Sequence, residues 1–185
     1  MPLKLPRIIT PQTNVYAYMS EITNIVPGLY LSSLTAARNA DSLNELQITH
    51  VLTILDFPVD FQGWSGSRLV IKISDGFESN LLVRFDECVE FIERGIRGGG
   101  NVLVHCMQGL SRSVTIVAAY LVAHCEMGTE EALKFLKEKR GNIQPNAAFV
   151  GQLKEYERIR KGGEASGGSF FSLVVSRTRS GLRIR

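Results

Sequence analysis

Cys106 and Arg112 are the two residues whose types and spacing best fit catalysis. They lie in one continuous run, His105-Cys106-Met107-Gln108-Gly109-Leu110-Ser111-Arg112-Ser113. A short apolar segment before the run predicts a strand, and a long apolar segment from Arg112 to position 123 predicts a buried helix. Successive backbone N–H groups that lead into a helix N-terminus form a cradle for phosphate. We therefore predict a phosphate-binding loop whose backbone donors belong to Met107, Gln108, Gly109, Leu110 and Ser111.

The predicted loop also suits nucleophilic catalysis by the Cys106 thiol. A helix N-terminus and a nearby arginine favour the thiolate, which is the reactive form of cysteine. A thiolate can attack bound phosphorus in line and form a cysteinyl-phosphate, which water then hydrolyses. Arg112 can bind two phosphate oxygens with its planar guanidinium, and Ser113 can donate a hydrogen bond to the sulfur. Gly109 lets the backbone curl tightly, and His105 is predicted to be buried and bonded to backbone, so that it supports the loop.

The departing oxygen of a phosphate ester needs a proton, so we expect a general acid near the loop. An acid at the carboxyl end of a neighbouring strand would reach the site, because ligands bind at that edge of an open sheet. Asp75 follows the predicted strand 69–73, and Gly76 gives its loop conformational freedom. Asp56, at the end of the preceding predicted strand, is the rival candidate. We favour Asp75.

Three further residues have less specific predicted roles. Asn146 follows Pro145 at the start of the last predicted helix, where asparagine is a good N-cap. We also consider a role for Asn146 in holding the phosphate-binding loop. Cys88 and Cys125 lie within or at the end of predicted helices and are predicted to be core thiols. A redox partnership between one of them and Cys106 stays open as the alternative.

The rest of the sequence predicts an α/β fold. Strands that alternate with helices indicate a mostly parallel central sheet covered by helices on both faces. The predicted strands are two short ones within 22–31 about the Pro27-Gly28 turn, then 48–55, 69–73 and 102–104. Of these, 48–55 and 69–73 are predicted to be buried. The predicted helices are 41–46 with Asp41 as N-cap, 81–96, 112–123, one capped by Thr129, and one from Asn146 to about 160.

Composition indicates one main globular domain. The chain has 185 residues, of which 44% are hydrophobic and 21% are charged. We divide it into an extended N-terminal arm (1–20), a catalytic domain (21–161) and a Gly/Ser-rich, basic tail (162–185). The tail holds four arginines and one glutamate, which account for the whole net charge of +3. Because the remainder is neutral, we do not predict nucleic-acid binding.

Cysteine content and hydropathy predict the compartment. Three cysteines, an odd number, fit a reduced protein better than a disulfide framework. The sequence has no apolar run of the length of a signal peptide or a membrane span. We therefore predict a protein of the cytoplasm, the nucleus or both.

The motif His105-Cys106-x-x-Gly109-x-Ser111-Arg112-Ser113 resembles the signature of the dual-specificity protein phosphatases. The likeness covers roughly residues 22–161 and includes Ser74-Asp75, Ala119-Tyr120-Leu121 and Arg140…Pro145-Asn146…Phe149. It implies a five-stranded sheet flanked by helices, no metal or other cofactor, and a phosphoprotein substrate. The implied activity is hydrolysis of phosphate monoesters on tyrosine and on serine or threonine. By position, it implies Cys106 as nucleophile, Arg112 as phosphate ligand and Asp75 as acid.

Two features depart from the family pattern. The segment 109–115 is similar to that of a subgroup with a C-terminal zinc-binding domain, but the three cysteines of this chain cannot supply such a domain. We therefore do not extend any zinc-linked role of that subgroup to this chain. Gln108 stands where a small residue is common, which would alter the pocket wall without removing the chemistry.

Other substrate classes remain as alternatives to phosphoprotein. Phosphoinositide phosphatases and RNA triphosphatases share the loop, but their pockets tend to carry extra Lys or Arg inside the loop. Here Met107, Gln108 and Leu110 are uncharged, which argues against both. A non-enzymatic phosphoprotein-binding module is the other alternative, and the presence of Cys106, Arg112 and Asp75 together argues against it.

Overall fold

A five-stranded sheet forms the centre of the molecule. The computed structural model describes residues 19–165 of the chain. Its strands are β1 Ile22–Val26, β2 Leu29–Ser33, β3 Ile48–Leu55, β4 Ser67–Lys72 and β5 Asn101–Cys106. They are arranged in the order β1-β2-β5-β3-β4, with β1 and β2 antiparallel and every other neighbouring pair parallel. The predicted α/β fold with a mostly parallel five-stranded sheet is confirmed.

Helices cover both faces of this sheet. They are α1 Leu34–Ala37, α2 Ala40–Glu45, α3 Phe85–Arg97, α4 Arg112–His124, α5 Thr129–Lys139 and α6 Ala147–Ala165, with a 3₁₀ turn at Leu82–Arg84. The first ten residues of α4 are all buried, as its continuous apolar sequence predicts. Among the described residues, no helix combines the length and the apolar character needed to cross a membrane.

The central strand β5 delivers the chain to the predicted loop. From Val102 to Cys106 every residue of β5 is buried, because β2 and β3 flank it and helices cover both of its faces. On one face, Val104 packs in a cluster with Val117 and Phe149. On the other face, Leu103 packs in a second cluster with Phe61. The loop after Cys106 therefore starts from a rigid support.

The fourth strand is not the buried strand that its sequence suggests. β4 lies at the edge of the sheet, and only Ile71 within it is fully buried. Arg68 and Val70 are exposed. A short run of branched residues fits an edge strand as well as a central one, because only the face toward the helices must be apolar.

The starts of three helices differ from the predictions. The N-cap of α2 is Asn39, whose side chain accepts from the Ser42 N–H, and Asp41 lies in the first turn instead. Gly128 precedes α5, which places Thr129 inside it. The predicted helix 81–96 begins as a 3₁₀ turn, because the Oε1 atom of Gln152 accepts from the N–H groups of both Leu81 and Leu82.

The predicted arm and tail lie mostly outside the described residues. Met19 and Ser20, at the end of the arm, are helical rather than extended, and the Ser33 hydroxyl donates to the Met19 carbonyl. The last helix, α6, extends to Ala165, four residues into the predicted tail. Glycine weakens a helix by about 1 kcal/mol per residue but does not forbid it, so Gly162 alone does not end α6.

Candidate active site

The loop between β5 and α4 is anchored on the end of β2. Strand β5 ends at Cys106, and α4 begins at Arg112. Gly109 has a φ of +70°, and a Cβ atom at this position would lie 2.6 Å from the Ser32 carbonyl oxygen. Only glycine combines this backbone conformation with so close an approach. The Leu34 N–H also donates to the Met107 carbonyl at 3.1 Å, which ties the loop to the start of α1.

Two hydrogen-bond donors point at the sulfur of Cys106. The Gly109 N–H lies 3.3 Å from Sγ, and the Ser113 hydroxyl lies 3.1 Å from it. The Cys106 side chain is almost completely buried at the bottom of the loop. Hydrogen bonds to the charged form of a group stabilise that form. The contact from Ser113 to the sulfur, expected from the sequence, is present.

The Arg112 guanidinium lies between the loop and the ends of two neighbouring strands. Its Nη1 donates to the Ile73 carbonyl at 3.1 Å and lies 3.8 Å from the Asp56 carboxylate. Its Nε lies 3.5 Å from Oδ2 of Asp75. That Nε atom is buried and has no hydrogen-bond partner within residues 19–165. A buried, unsatisfied cationic donor beside a phosphate-binding loop suits an anionic ligand.

Asp75 is held more firmly at this site than its rival Asp56. The Oδ1 atom of Asp75 accepts from the Ser111 hydroxyl at 2.6 Å and from the Asn146 side-chain amide at 3.0 Å. Within residues 19–165, Asp56 approaches only the Arg112 guanidinium, and its side chain is 56% exposed against 35% for Asp75. The structure therefore brings both predicted acids to the site and ties one of them to the loop.

Asn146 connects the last helix to this cluster. Its Oδ1 accepts from the Phe149 N–H at 2.8 Å, which is the predicted N-cap of α6. Its backbone N–H donates to the Ser111 hydroxyl at 3.2 Å, while its amide Nδ2 donates to Asp75. The sequence suggested the cap and a contact with the loop, but it did not suggest that Asn146 would reach Asp75.

His105 supports the loop from the core, as predicted, but its main partner is a side chain. Its Nε2 lies 2.8 Å from the Thr53 hydroxyl, and its Nδ1 lies 3.4 Å from the Cys106 carbonyl. The Phe61 ring packs edge-on against it with centroids 5.6 Å apart. Burial lowers the pKa of His105 to about 4, so the ring is neutral at physiological pH.

Arg140 is a loop-supporting residue that the sequence reasoning missed. It is 2% exposed, and its Nε donates to the Gly109 carbonyl at 3.2 Å. Its Nη1 donates to the Thr23 hydroxyl at 2.8 Å. A nearby backbone bond, from the Gln144 N–H to the Leu110 carbonyl, holds the same side of the loop. Arginine at the end of a helix is common, so nothing local marked Arg140 as buried.

The other two cysteines differ in burial. Cys88 is fully buried in α3, and burial raises its pKa to about 12. Cys125 is half-buried, and burial together with the nearby Glu93 carboxylate raises its pKa. Neither forms a disulfide. Within residues 19–165, no group of three or more His, Cys, Asp or Glu side chains could hold a metal ion.

This fold and this loop define a cysteine-dependent phosphatase of the α/β class. Residues 29–159 match the family described as dual specificity phosphatase, catalytic domain. The chain belongs to this family and is a protein phosphatase.

Known relatives agree with this assignment. The chain is 40% identical over 147 residues to dual specificity protein phosphatase 1B of Arabidopsis thaliana, covering 77% of this chain and 85% of that protein. It is 43% identical over 139 residues to dual specificity protein phosphatase 1 of the same plant, covering 72% and 68%. Among solved structures, a human tyrosine phosphatase-like serine/threonine/tyrosine-interacting protein superposes with a TM-score of 0.73 at 35% identity, over 77% of this chain and 99% of that one.

Proposed function

We propose that Cys106 is the nucleophile of a phosphatase that acts on phosphotyrosine and on phosphoserine or phosphothreonine in proteins. The observation that carries this proposal is the pair of donors, the Gly109 N–H and the Ser113 hydroxyl, that point at the Cys106 sulfur. The first test compares the wild type with Cys106→Ser on a small aryl phosphate. We expect hydrolysis by the wild type and none by the variant.

In the first step, the phosphate group enters the loop and the thiolate attacks it. The backbone N–H groups of residues 107–111 and the Arg112 guanidinium bind its nonbridging oxygens. The S–P bond forms as the P–O bond to the substrate breaks, in line with each other. The Asp75 carboxylic acid gives its proton to the departing oxygen, so that an alcohol or phenol leaves rather than its anion.

In the second step, water releases the phosphate. The Asp75 carboxylate, now without its proton, accepts a proton from the attacking water. Oxygen of that water bonds to phosphorus, and the S–P bond breaks with its electron pair returning to the sulfur. The Ser113 hydroxyl, 3.1 Å from the sulfur, stabilises the returning negative charge. Inorganic phosphate then leaves the loop.

The choice of Asp75 as the acid rests on how it is held. Its bonds from Ser111 and Asn146 attach it to the phosphate-binding loop and to α6, whereas Asp56 is half-exposed and contacts only Arg112 among the residues that the structure describes. A proton donor held in place contributes more than one that must be ordered in each turnover.

Phosphoprotein is the substrate class that the loop side chains support best. Met107, at the mouth of the loop, is 38% exposed and uncharged. Gln108 and Leu110 are also uncharged, so these side chains provide no additional positive charge for a polyphosphate or an inositol headgroup. A panel of phosphopeptides beside a panel of phosphoinositides tests this. We expect turnover of the peptides to exceed that of the lipids.

A phosphoprotein-binding role without catalysis is the second candidate. One structural relative is named a tyrosine phosphatase-like serine/threonine/tyrosine-interacting protein, so this fold also occurs in a protein named for an interaction. Binding of a phosphopeptide by both the wild type and Cys106→Ser, with no hydrolysis by either, would support this candidate over the enzymatic one.

For the cellular location, we propose a reducing compartment, the cytoplasm or the nucleus. Cys88, Cys106 and Cys125 are all free thiols, and a catalytic thiolate is readily oxidised. Microscopy of the tagged full-length chain tests the location.

A further inference from the structure

The open edge of the sheet carries a groove that includes Ile73, a residue in contact with Arg112. The groove has a volume of about 360 Å³ and is lined by Val70, Ile71, Lys72, Ile73, Asn80, Val83 and Arg84. It therefore lies between the edge strand β4 and the 3₁₀ turn before α3. Nothing in the proposed chemistry uses these side chains.

Backbone groups of β4 are available along this groove. Within the described residues, β4 has a neighbouring strand only on the side of β3. The Ile73 N–H donates to the Leu55 carbonyl of β3 at 3.2 Å. Because backbone groups alternate sides along a strand, the N–H and C=O of Val70 and Lys72 point away from β3. This edge can accept a further strand.

Side chains at the groove add apolar surface and positive charge. Val70 is 42% exposed and Val83 is 71% exposed, which is unusual for valine. Lys72 is exposed and forms no ion pair within residues 19–165. Arg84 pairs with Glu87, so among the described residues Lys72 is the groove cation that remains available. A segment with β-branched and acidic residues would complement this surface.

One residue connects the groove directly to the phosphate site. Ile73 lines the groove, and its carbonyl accepts from Nη1 of Arg112, the proposed phosphate ligand, at 3.1 Å. A polypeptide whose phosphorylated residue lies at Arg112 can therefore continue along β4. Lys72 directly precedes Ile73 and a strand advances about 3.3 Å per residue, so the position opposite Lys72 lies a few residues from the phosphorylated residue.

We propose that β4 binds an extended, acidic segment of the phosphoprotein substrate as a sixth strand. The proposal rests on the proposed function. Main-chain hydrogen bonds to Val70 and Lys72 would supply affinity, and the Lys72 ammonium would select an acidic side chain. Residues 170–175 of this chain, Phe-Phe-Ser-Leu-Val-Val, are the competing occupant. Arginines at 177 and 179 follow this segment and carry the same charge sign as Lys72. Like charges repel, so an acidic substrate segment suits β4 better than residues 170–175 do.

The experiment measures kcat/KM of the full-length protein for three phosphotyrosine peptides. The acidic peptide carries alternating valine and glutamate three to five residues from the phosphotyrosine. The glutamine peptide has glutamine in place of each glutamate. The third peptide has the sequence of the acidic peptide, with N-methylated backbone amides in that segment. Each value is divided by the same protein's kcat/KM for an aryl phosphate. Lys72→Glu is the test variant. Lys134→Glu, the same charge change at an exposed site in α5, is the matched control.

The wild type and Lys134→Glu are expected to prefer the acidic peptide over the glutamine peptide by about two- to fivefold, and Lys72→Glu to lose that preference. N-methylation is expected to lower the rate by about two- to tenfold in the wild type. Equal preference in Lys72→Glu and the wild type, or no effect of N-methylation, overturns the proposal. A change of preference caused by Val174→Asp also overturns it, because the tail would then be the occupant. If the wild type does not hydrolyse the aryl phosphate, the proposed function is overturned instead.

Discussion

The Ser111 hydroxyl donates to the Asp75 carboxylate at 2.6 Å, which ties the phosphate-binding loop to the proposed acid. The two residues come from different connections, Ser111 just before α4 and Asp75 just after β4. The parallel arrangement of β5, β3 and β4 brings these connections to the same edge of the sheet. Binding of phosphate and placement of the acid are therefore properties of one hydrogen-bonded cluster.

Replacing the acid is expected to slow turnover without preventing binding of phosphate. Asp75→Asn keeps the size of the side chain but cannot supply the proton, so kcat should fall roughly 10²- to 10⁴-fold. The loss should be largest for alkyl phosphates, whose leaving groups most need the proton. Steady-state kinetics with a series of leaving groups measures this, and vanadate inhibition reports on binding. Asp56→Asn is the matched control, and an equal loss in that variant would transfer the role to Asp56.

Two variants at Asn146 separate its capping role from its contact with Asp75. Asn146→Ser keeps an N-cap acceptor but loses the amide donor to Asp75, and Asn146→Ala loses both. We expect kcat to fall about tenfold in both variants, because Asp75 is then no longer held in place by this hydrogen bond. Only Asn146→Ala should also lose about 1 kcal/mol of unfolding free energy.

Kinetics and urea unfolding of the two Asn146 variants provide the comparison. The loss of kcat should again depend on the leaving group, which a purely structural defect would not produce. Full activity of Asn146→Ser would mean that the amide contact does not position Asp75.

The buried imidazole of His105 is expected to make stability depend on pH. Burial lowers its pKa from 6.5 in the unfolded chain to about 4 in the folded one. Between these two values the unfolded chain binds a proton that the folded chain does not, so the free energy of unfolding falls as the pH drops from 6.5 toward 4. The contribution of His105 over this range is about 3 kcal/mol.

His105→Gln removes this titration while keeping a side-chain partner for Thr53. We expect the difference in unfolding free energy between pH 7 and pH 4.5, measured with urea, to be smaller in the variant. His50 and His124 also have lowered pKa values, but they are present in both proteins and cancel in the comparison. An unchanged difference would contradict the burial of a neutral His105.

Local patterns in the sequence predict most of this site. Cys106 and Arg112 follow from one motif, and the strand before it and the apolar helix after it define the loop. Asp75 follows from its place after a strand, because parallel strands bring their carboxyl ends to one edge. The Ser113 contact with the sulfur follows from the first turn of α4. Each of these inferences uses only residues close together in the chain or one rule of sheet topology.

The missed features depend on contacts between residues far apart in the chain. Arg140 reaches the Gly109 carbonyl, 31 residues away, and Gln152 caps the turn at Leu81, 71 residues away. No periodicity or spacing encodes such contacts. The position of β4 at the sheet edge was missed for a related reason, since strand order depends on contacts between elements far apart in the chain rather than on the strand's own residues.

Direct detection of phosphorylated Cys106 tests the central claim of this account. The Ser113→Ala variant removes a donor that stabilises the departing sulfur, so the cysteinyl-phosphate should accumulate during turnover of an aryl phosphate. Rapid acid quench, proteolysis and mass spectrometry are predicted to find one phosphoryl group on the peptide that contains Cys106, formed and consumed at rates that match turnover. Steady turnover with no phosphoryl group on that peptide, or turnover that persists in Cys106→Ser, would contradict the account.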